Sequence, residues 1–126
     1  MSLRSDLGRV RGLGSAKDGT AHWWAQRVTA VALIPLSIWF IYSAVTLVGI
    51  DRAGFKEWLN APGSILLMSL FVIALFHHMQ LGLQVVVEDY VHTERNKIVL
   101  LVLNKLTAVF LAVSSIIALI KVAFGG

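Results

Sequence analysis

No cysteine occurs anywhere in the 126 residues. That excludes a disulfide, a cysteine-ligated iron–sulfur cluster and a thioether-linked haem within this chain. It leaves the redox compartment open. Charge is scarce as well: 14% of residues are Asp, Glu, Lys or Arg, against about 25% in soluble domains. From 65 to 87 there is no charged residue of either sign. No carboxylate lies in the apolar interior of any long run, which argues against a proton-coupled transporter, since that chemistry wants a membrane-embedded acid. Only two prolines are present, Pro35 and Pro62.

What is there is apolar. Hydrophobic residues make up 57% of the chain and the mean hydropathy is +0.77. A soluble domain of this size could not hide so much apolar surface. The sequence therefore predicts one all-α membrane domain over residues 22–126, preceded by a polar arm over 1–21. About 20 apolar residues suffice to cross a bilayer, and three runs qualify, at about 24–48, 64–88 and 97–124. Pro35 falls inside the first and predicts a kink, because it removes a backbone donor. Asn60, Pro62 and Gly63 mark a turn before the second. Asn104, Lys105 and Lys121 interrupt the third. Both lysines are placed to snorkel, and a start at Leu106 is the other reading of where that helix begins. There is no internal repeat and no low-complexity tract.

The arm holds Arg4, Arg9, Arg11 and Lys17 against Asp6 and Asp18. It is too mixed for the leader of a cleaved signal peptide, and it reads as an extended segment on the membrane surface. It is not the Arg-rich, acid-poor leader of an organelle import signal, which favours a bacterial inner membrane. The net charge of +4 bears on topology rather than on nucleic acid. The arm with Arg27, plus the 88–97 loop with Arg95 and Lys97, carries seven cations; Arg52, Lys56 and Lys121 lie on the opposite side. Positive residues stay inside, so the N-terminus is expected in the cytoplasm and the C-terminus in the periplasm. Trp23, Trp24 and Trp58 flank the spans as interfacial anchors. His22 and His92 read as surface residues. Glu88, Glu94, Arg95 and Lys97 read as a solvated loop.

The second run carries the chemistry. Two histidines, His77 and His78, sit deep within it, where a polar side chain needs a reason. On a helix, His78, Gly82, Val85 and Asp89 form one stripe. Gly82 lets a flat group approach the backbone one turn from the His78 imidazole, an arrangement suited to haem iron. His77 points about 100° away. The other reading is that both histidines are polar residues satisfied between helices. Asp89 and Tyr90 close the helix about 18 Å from His78. A phenol there can donate to a quinone carbonyl, or it can be an interfacial anchor beside a solvated acid. Arg27 can hold a carboxylate in a bidentate grip, or it can simply set topology.

The combination of His78, Gly82, Gln84, Asp89 and Tyr90 resembles the second-helix signature of the small hydrophobic anchor subunit of succinate dehydrogenase, respiratory complex II. The segment from Arg27 to Ala30 resembles the start of that subunit's first helix, and the likeness runs from about Gly14 to the end. It is closest to the bacterial type with two separate anchor chains. The resemblance implies that His78 is an axial ligand of a b-type haem, completed by a histidine of a second, cytochrome b anchor subunit. It implies that Tyr90 and Asp89 belong to a ubiquinone site and that Arg27 lies near the haem propionates, with Gly82 beside the ring. It assigns no role to His77. Flavin (FAD) and iron–sulfur clusters would sit in a flavoprotein and an iron–sulfur partner subunit, with no succinate chemistry in this chain. The nearest alternative is the anchor of a fumarate reductase running the other way with menaquinone. A different cytochrome b subunit usually holds both haem ligands on separate helices of one chain, whereas here the intramembrane histidines share one helix. A small transporter or adaptor is the alternative from another class.

Overall fold

The computed structural model describes residues 3, 5–10, 12 and 17–125. Among them every regular element is helical. Arg4 and Arg11 of the cationic arm lie outside the described residues. The arm is not simply extended. A short helix α1 runs over Asp6–Val10, where the Ser5 hydroxyl accepts from the Gly8 amide at 3.1 Å. The first long helix, α2, begins already at Lys17 and continues to Thr46. It passes through Pro35 without a break in the helix.

Gly49 turns the chain after α2 with φ 81°, in the left-handed region that favours glycine. A second short helix, α3 (Arg52–Asn60), follows. The Asp51 carboxylate caps it by accepting from the Gly54 amide at 2.9 Å, satisfying one of the orphan donors of its first turn. Ala61 ends α3 and also precedes α4 (Pro62–Tyr90), which opens on the pre-set backbone of Pro62. The predicted turn is thus a single extended residue between two helices. Only Val91, His92 and Thr93 separate α4 from α5 (Glu94–Phe124). The third long helix therefore begins before both starts expected for it. Glu88 belongs to the last turn of α4, and Glu94, Arg95 and Lys97 to the first turn of α5, rather than to a loop. Lys105 is not near the start of its helix: it lies about 16 Å along the axis from Glu94.

Three of the helices, over Gly19–Thr46, Pro62–Tyr90 and Glu94–Phe124, are long and apolar enough to cross a membrane. They do not close into a bundle. Helix α4 packs against α2 on one side and α5 on the other, while α2 and α5 do not meet. The chain is a multi-pass membrane protein built as an open row with α4 in the middle. Most of its large apolar side chains stay exposed on this row, as expected of surfaces meant for lipid or for other subunits.

Polar groups lock the row at two levels. Asn104 of α5 donates from Nδ2 to the Gln80 carbonyl of α4 at 2.8 Å. At the far end from Tyr90, Asn60 donates to the Ala123 carbonyl at 2.9 Å and Lys56 to the Gly125 carbonyl at 2.8 Å. These bonds satisfy carbonyls that the end of α5 leaves free. Stacked rings join α2 to its neighbours, Phe40 on Phe71 at 4.6 Å and Trp39 on Trp58 at 5.9 Å. Trp58 also stacks on Phe55, 5.8 Å away, and is half-buried.

Helix α3 packs against both α4 and α5, and its Leu59 is fully buried. Truncating such a side chain costs about 2–5 kcal/mol through lost burial and a residual cavity. Leu59→Ala is accordingly expected to lower the melting temperature of the detergent-solubilised protein by several degrees. An unchanged melting curve would show that α3 is an appendage rather than part of the core.

Candidate functional site

Helices α2 and α4 run antiparallel, as the pairs Thr29–His78 and Phe40–Phe71 require. On α2, His22, Gln26 and Thr29 recur at i, i+4 and i+7, so they share one face. That face meets α4. The Thr29 hydroxyl lies 2.9 Å from His78 Nδ1. A Cβ added at Gly82 would meet only Gln26 Nε2, at 3.7 Å, which is ordinary van der Waals contact. His78 and Gly82 thus face α2 as one stripe. The missing side chain at 82 is where the Gln26 amide comes close to the α4 backbone.

The same face is incompletely paired. His22 Nε2 and Gln26 Oε1 are buried with no hydrogen-bond partner among the described residues. His22 is not a surface residue: it is half-buried and lines a small cavity with Gly19, Gln84 and Glu88. Along α4, Gln80 donates to Gln84 at 3.4 Å and Gln84 to Glu88 at 2.9 Å, a polar ladder climbing toward Tyr90. His92 is exposed, as expected.

The two adjacent histidines part company. His78 is half-buried against α2, whereas His77 is exposed and lines the open grooves on both sides of α4. Lys105 lies along the groove between α4 and α5 with His77. Arg27 is exposed, with its guanidinium 5.0 Å from the centre of the Trp23 ring, a cation–π contact one helical turn back. It sits on α2 between the height of Thr29 and the Tyr90 end. Trp23 and Trp24 meet edge to face at 5.0 Å, both exposed. Asp89 is exposed and Tyr90 is 77% exposed at the end of α4.

Helix α4 thus carries one imidazole held by a neighbouring helix, a side chain missing one turn away, and an exposed acid and phenol at its end. The succinate dehydrogenase/fumarate reductase transmembrane subunit pattern matches residues 1–113. The chain belongs to that family. Its relatives within this anchor family include a succinate dehydrogenase hydrophobic membrane anchor subunit of Rickettsia bellii, 31% identical over 116 residues, 92% of this chain and 93% of that one. The protein of the same name from Paracoccus denitrificans is 35% identical over 81 residues, 64% of this chain and 63% of that one. A succinate dehydrogenase membrane anchor subunit of Reclinomonas americana is 30% identical over 97 residues, 74% of this chain and 80% of that one. No solved structure matches this anchor. Membership makes the chain the membrane anchor of an oxidoreductase complex with partner subunits. The transporter and adaptor readings give way to it.

Thr29 is the participant that sequence reading missed. The signal was present, because a hydroxyl inside the first apolar run lies seven residues from His22 and three from Gln26.

Proposed function

We propose that this anchor serves a succinate:ubiquinone oxidoreductase of a bacterial inner membrane, in aerobic electron transport and the tricarboxylic acid cycle. It supplies His78 as one axial ligand of a b-type haem and helps to form the ubiquinone-reduction site. The observation that carries this reading is the state of His78. Its Nδ1 is engaged by Thr29, and its Nε2 has no hydrogen bond among the described residues. An imidazole with one nitrogen fixed and the other unused fits the donor chemistry that haem iron requires. The family resemblance assigns the second imidazole to the second, cytochrome b anchor subunit, which would place the haem between the two chains.

When bound, the haem supplies one-electron redox chemistry. The chain's own residues do the rest. His78 would hold the iron, with Gly82 one turn away on the same stripe of α4, where the Gln26 amide comes close. Arg27, above His78 on α2, is placed to pair with propionates by a charge-assisted contact. A flavoprotein subunit oxidises succinate with FAD, and an iron–sulfur subunit passes the electrons to the membrane. Ubiquinone takes up two electrons and two protons at the Tyr90 end. The Tyr90 hydroxyl donates to a quinone oxygen as negative charge builds there, and Asp89 orients or relays protons. Tyr90 is largely exposed in this chain, so partner subunits complete the pocket. With positive residues kept inside, the Tyr90 end faces the cytoplasm, the C-terminus faces the periplasm, and the arm lies on the cytoplasmic surface.

The family also contains fumarate reductase subunits. The succinate direction is favoured because the matching relatives carry succinate dehydrogenase names. The test is purification of the membrane complex through this chain, followed by a dithionite-reduced minus oxidised spectrum. A b-type haem with flavin and iron–sulfur subunits co-purifying supports the proposal; no haem in that complex overturns it.

A further inference from the structure

Thr29 lies at a position where a single proton decides the form of His78. Its oxygen is 2.7 Å from the Ala25 carbonyl, 3.1 Å from the Gln26 carbonyl and 2.9 Å from His78 Nδ1. A threonine hydroxyl has one proton to give and two lone pairs to accept with. Two oxygens without a proton between them repel at 2.7 Å, so the hydroxyl proton lies toward Ala25, the usual back-bond to i−4. The oxygen must then accept from the imidazole. If the hydroxyl donated to His78 instead, the carbonyl contact would be lost. A proton would also sit on Nε2, which has no acceptor among the described residues, in an apolar span where an unpaired donor is costly.

We propose that Thr29 is a positioning residue for the haem: it fixes His78 as the Nδ1-protonated tautomer, aims Nε2 at the iron, and tunes the iron's redox preference. This rests on the haem reading given above. Three consequences follow from the geometry. The imidazole is tied through Thr29 to the backbone of α2, so its ring orientation is set by a helix that carries neither histidine of the ligand pair. The free lone pair is on Nε2 before any haem arrives, so no proton has to move for ligation. Finally, an Nδ1–H that donates to an acceptor makes the distal nitrogen more electron-rich, which favours ferric over ferrous iron.

The test uses the assembled complex with Thr29→Val, which keeps the side chain's shape and removes the acceptor, beside Thr29→Ser, which keeps the hydroxyl. Redox titration of the haem band and low-temperature paramagnetic resonance of the ferric haem are the readouts. Thr29→Val is expected to move the haem midpoint to more positive potential and to shift the ferric g values, with Thr29→Ser close to wild type. A purely structural bond between α2 and α4 would leave both readouts in place. Wild-type potential and g values in Thr29→Val would therefore overturn the proposal. Should Thr29→Val not assemble, Thr29→Cys offers only a weak acceptor and reads the same quantity: a shift in the same direction supports the tautomer role, and no shift overturns it. A wild-type complex without haem would instead bring down the function proposed above, so the two failures are distinguishable.

Discussion

His78→Ala is expected to abolish or grossly alter the b-type haem spectrum of the purified complex, while the chain still inserts into the membrane. The spans do not depend on His78: the α4–α5 contact is held by Asn104 on the Gln80 carbonyl, and the α2–α4 contact also by Phe40 on Phe71. Removing the imidazole would take away the haem contact proposed for it, and it leaves the Thr29 hydroxyl with its backbone carbonyl partners. The matched control is His77→Ala. His77 is exposed on α4 and makes no hydrogen bond among the described residues, so that variant should keep the wild-type spectrum. The reverse pattern, with haem lost on changing His77 and kept on changing His78, would transfer the ligand role to the neighbouring residue and reorient α4 relative to the partner subunit.

The second large effect is expected at the other end of the helix. Tyr90→Phe removes one oxygen from a side chain that is 77% exposed within this chain. It should leave assembly, haem content and succinate oxidation with an artificial acceptor unchanged. Succinate-driven reduction of ubiquinone should fall by about a hundredfold, the scale on which a single preorganised donor to developing negative charge acts. The loss belongs in kcat more than in KM, because the donor matters most once the quinone oxygen becomes negative. Unchanged ubiquinone turnover would remove Tyr90 from the site and leave it as an interfacial anchor.

The three spans were legible because lipid imposes a blunt requirement. Uncharged runs of this length have few other uses, and the helices fall where the runs fall. The histidine, glycine and Asp89–Tyr90 spacing on α4 was legible for a related reason, since helical periodicity places such residues by counting. What escaped was anything decided by the neighbouring helix. His22 looked like a flanking surface residue because the first helix was expected to begin after it. With α2 starting at Lys17, His22 falls one turn from Gln26 and faces α4. Lys105 makes Leu106 a plausible helix start because a charge usually marks an edge, yet α5 continues through it. The short helix α3 was hidden by its charges and Gly54, although Phe55, Trp58 and Leu59 carry the i, i+3, i+4 spacing of a buried face. The spacing of Thr29 from His22 and Gln26 placed it on their face of α2, but its partner His78, 49 positions away in the chain, was decided by the packing of α4.

The open row of helices also bears on how freely such a sequence drifts. Where a position faces lipid, the bilayer asks only that the side chain be apolar, so leucine, isoleucine, valine and phenylalanine can replace one another at little cost. A chain in which α2 and α5 do not meet leaves many positions under that loose requirement. That loose requirement leaves room for a relative that aligns over 92% of this chain at 31% identity.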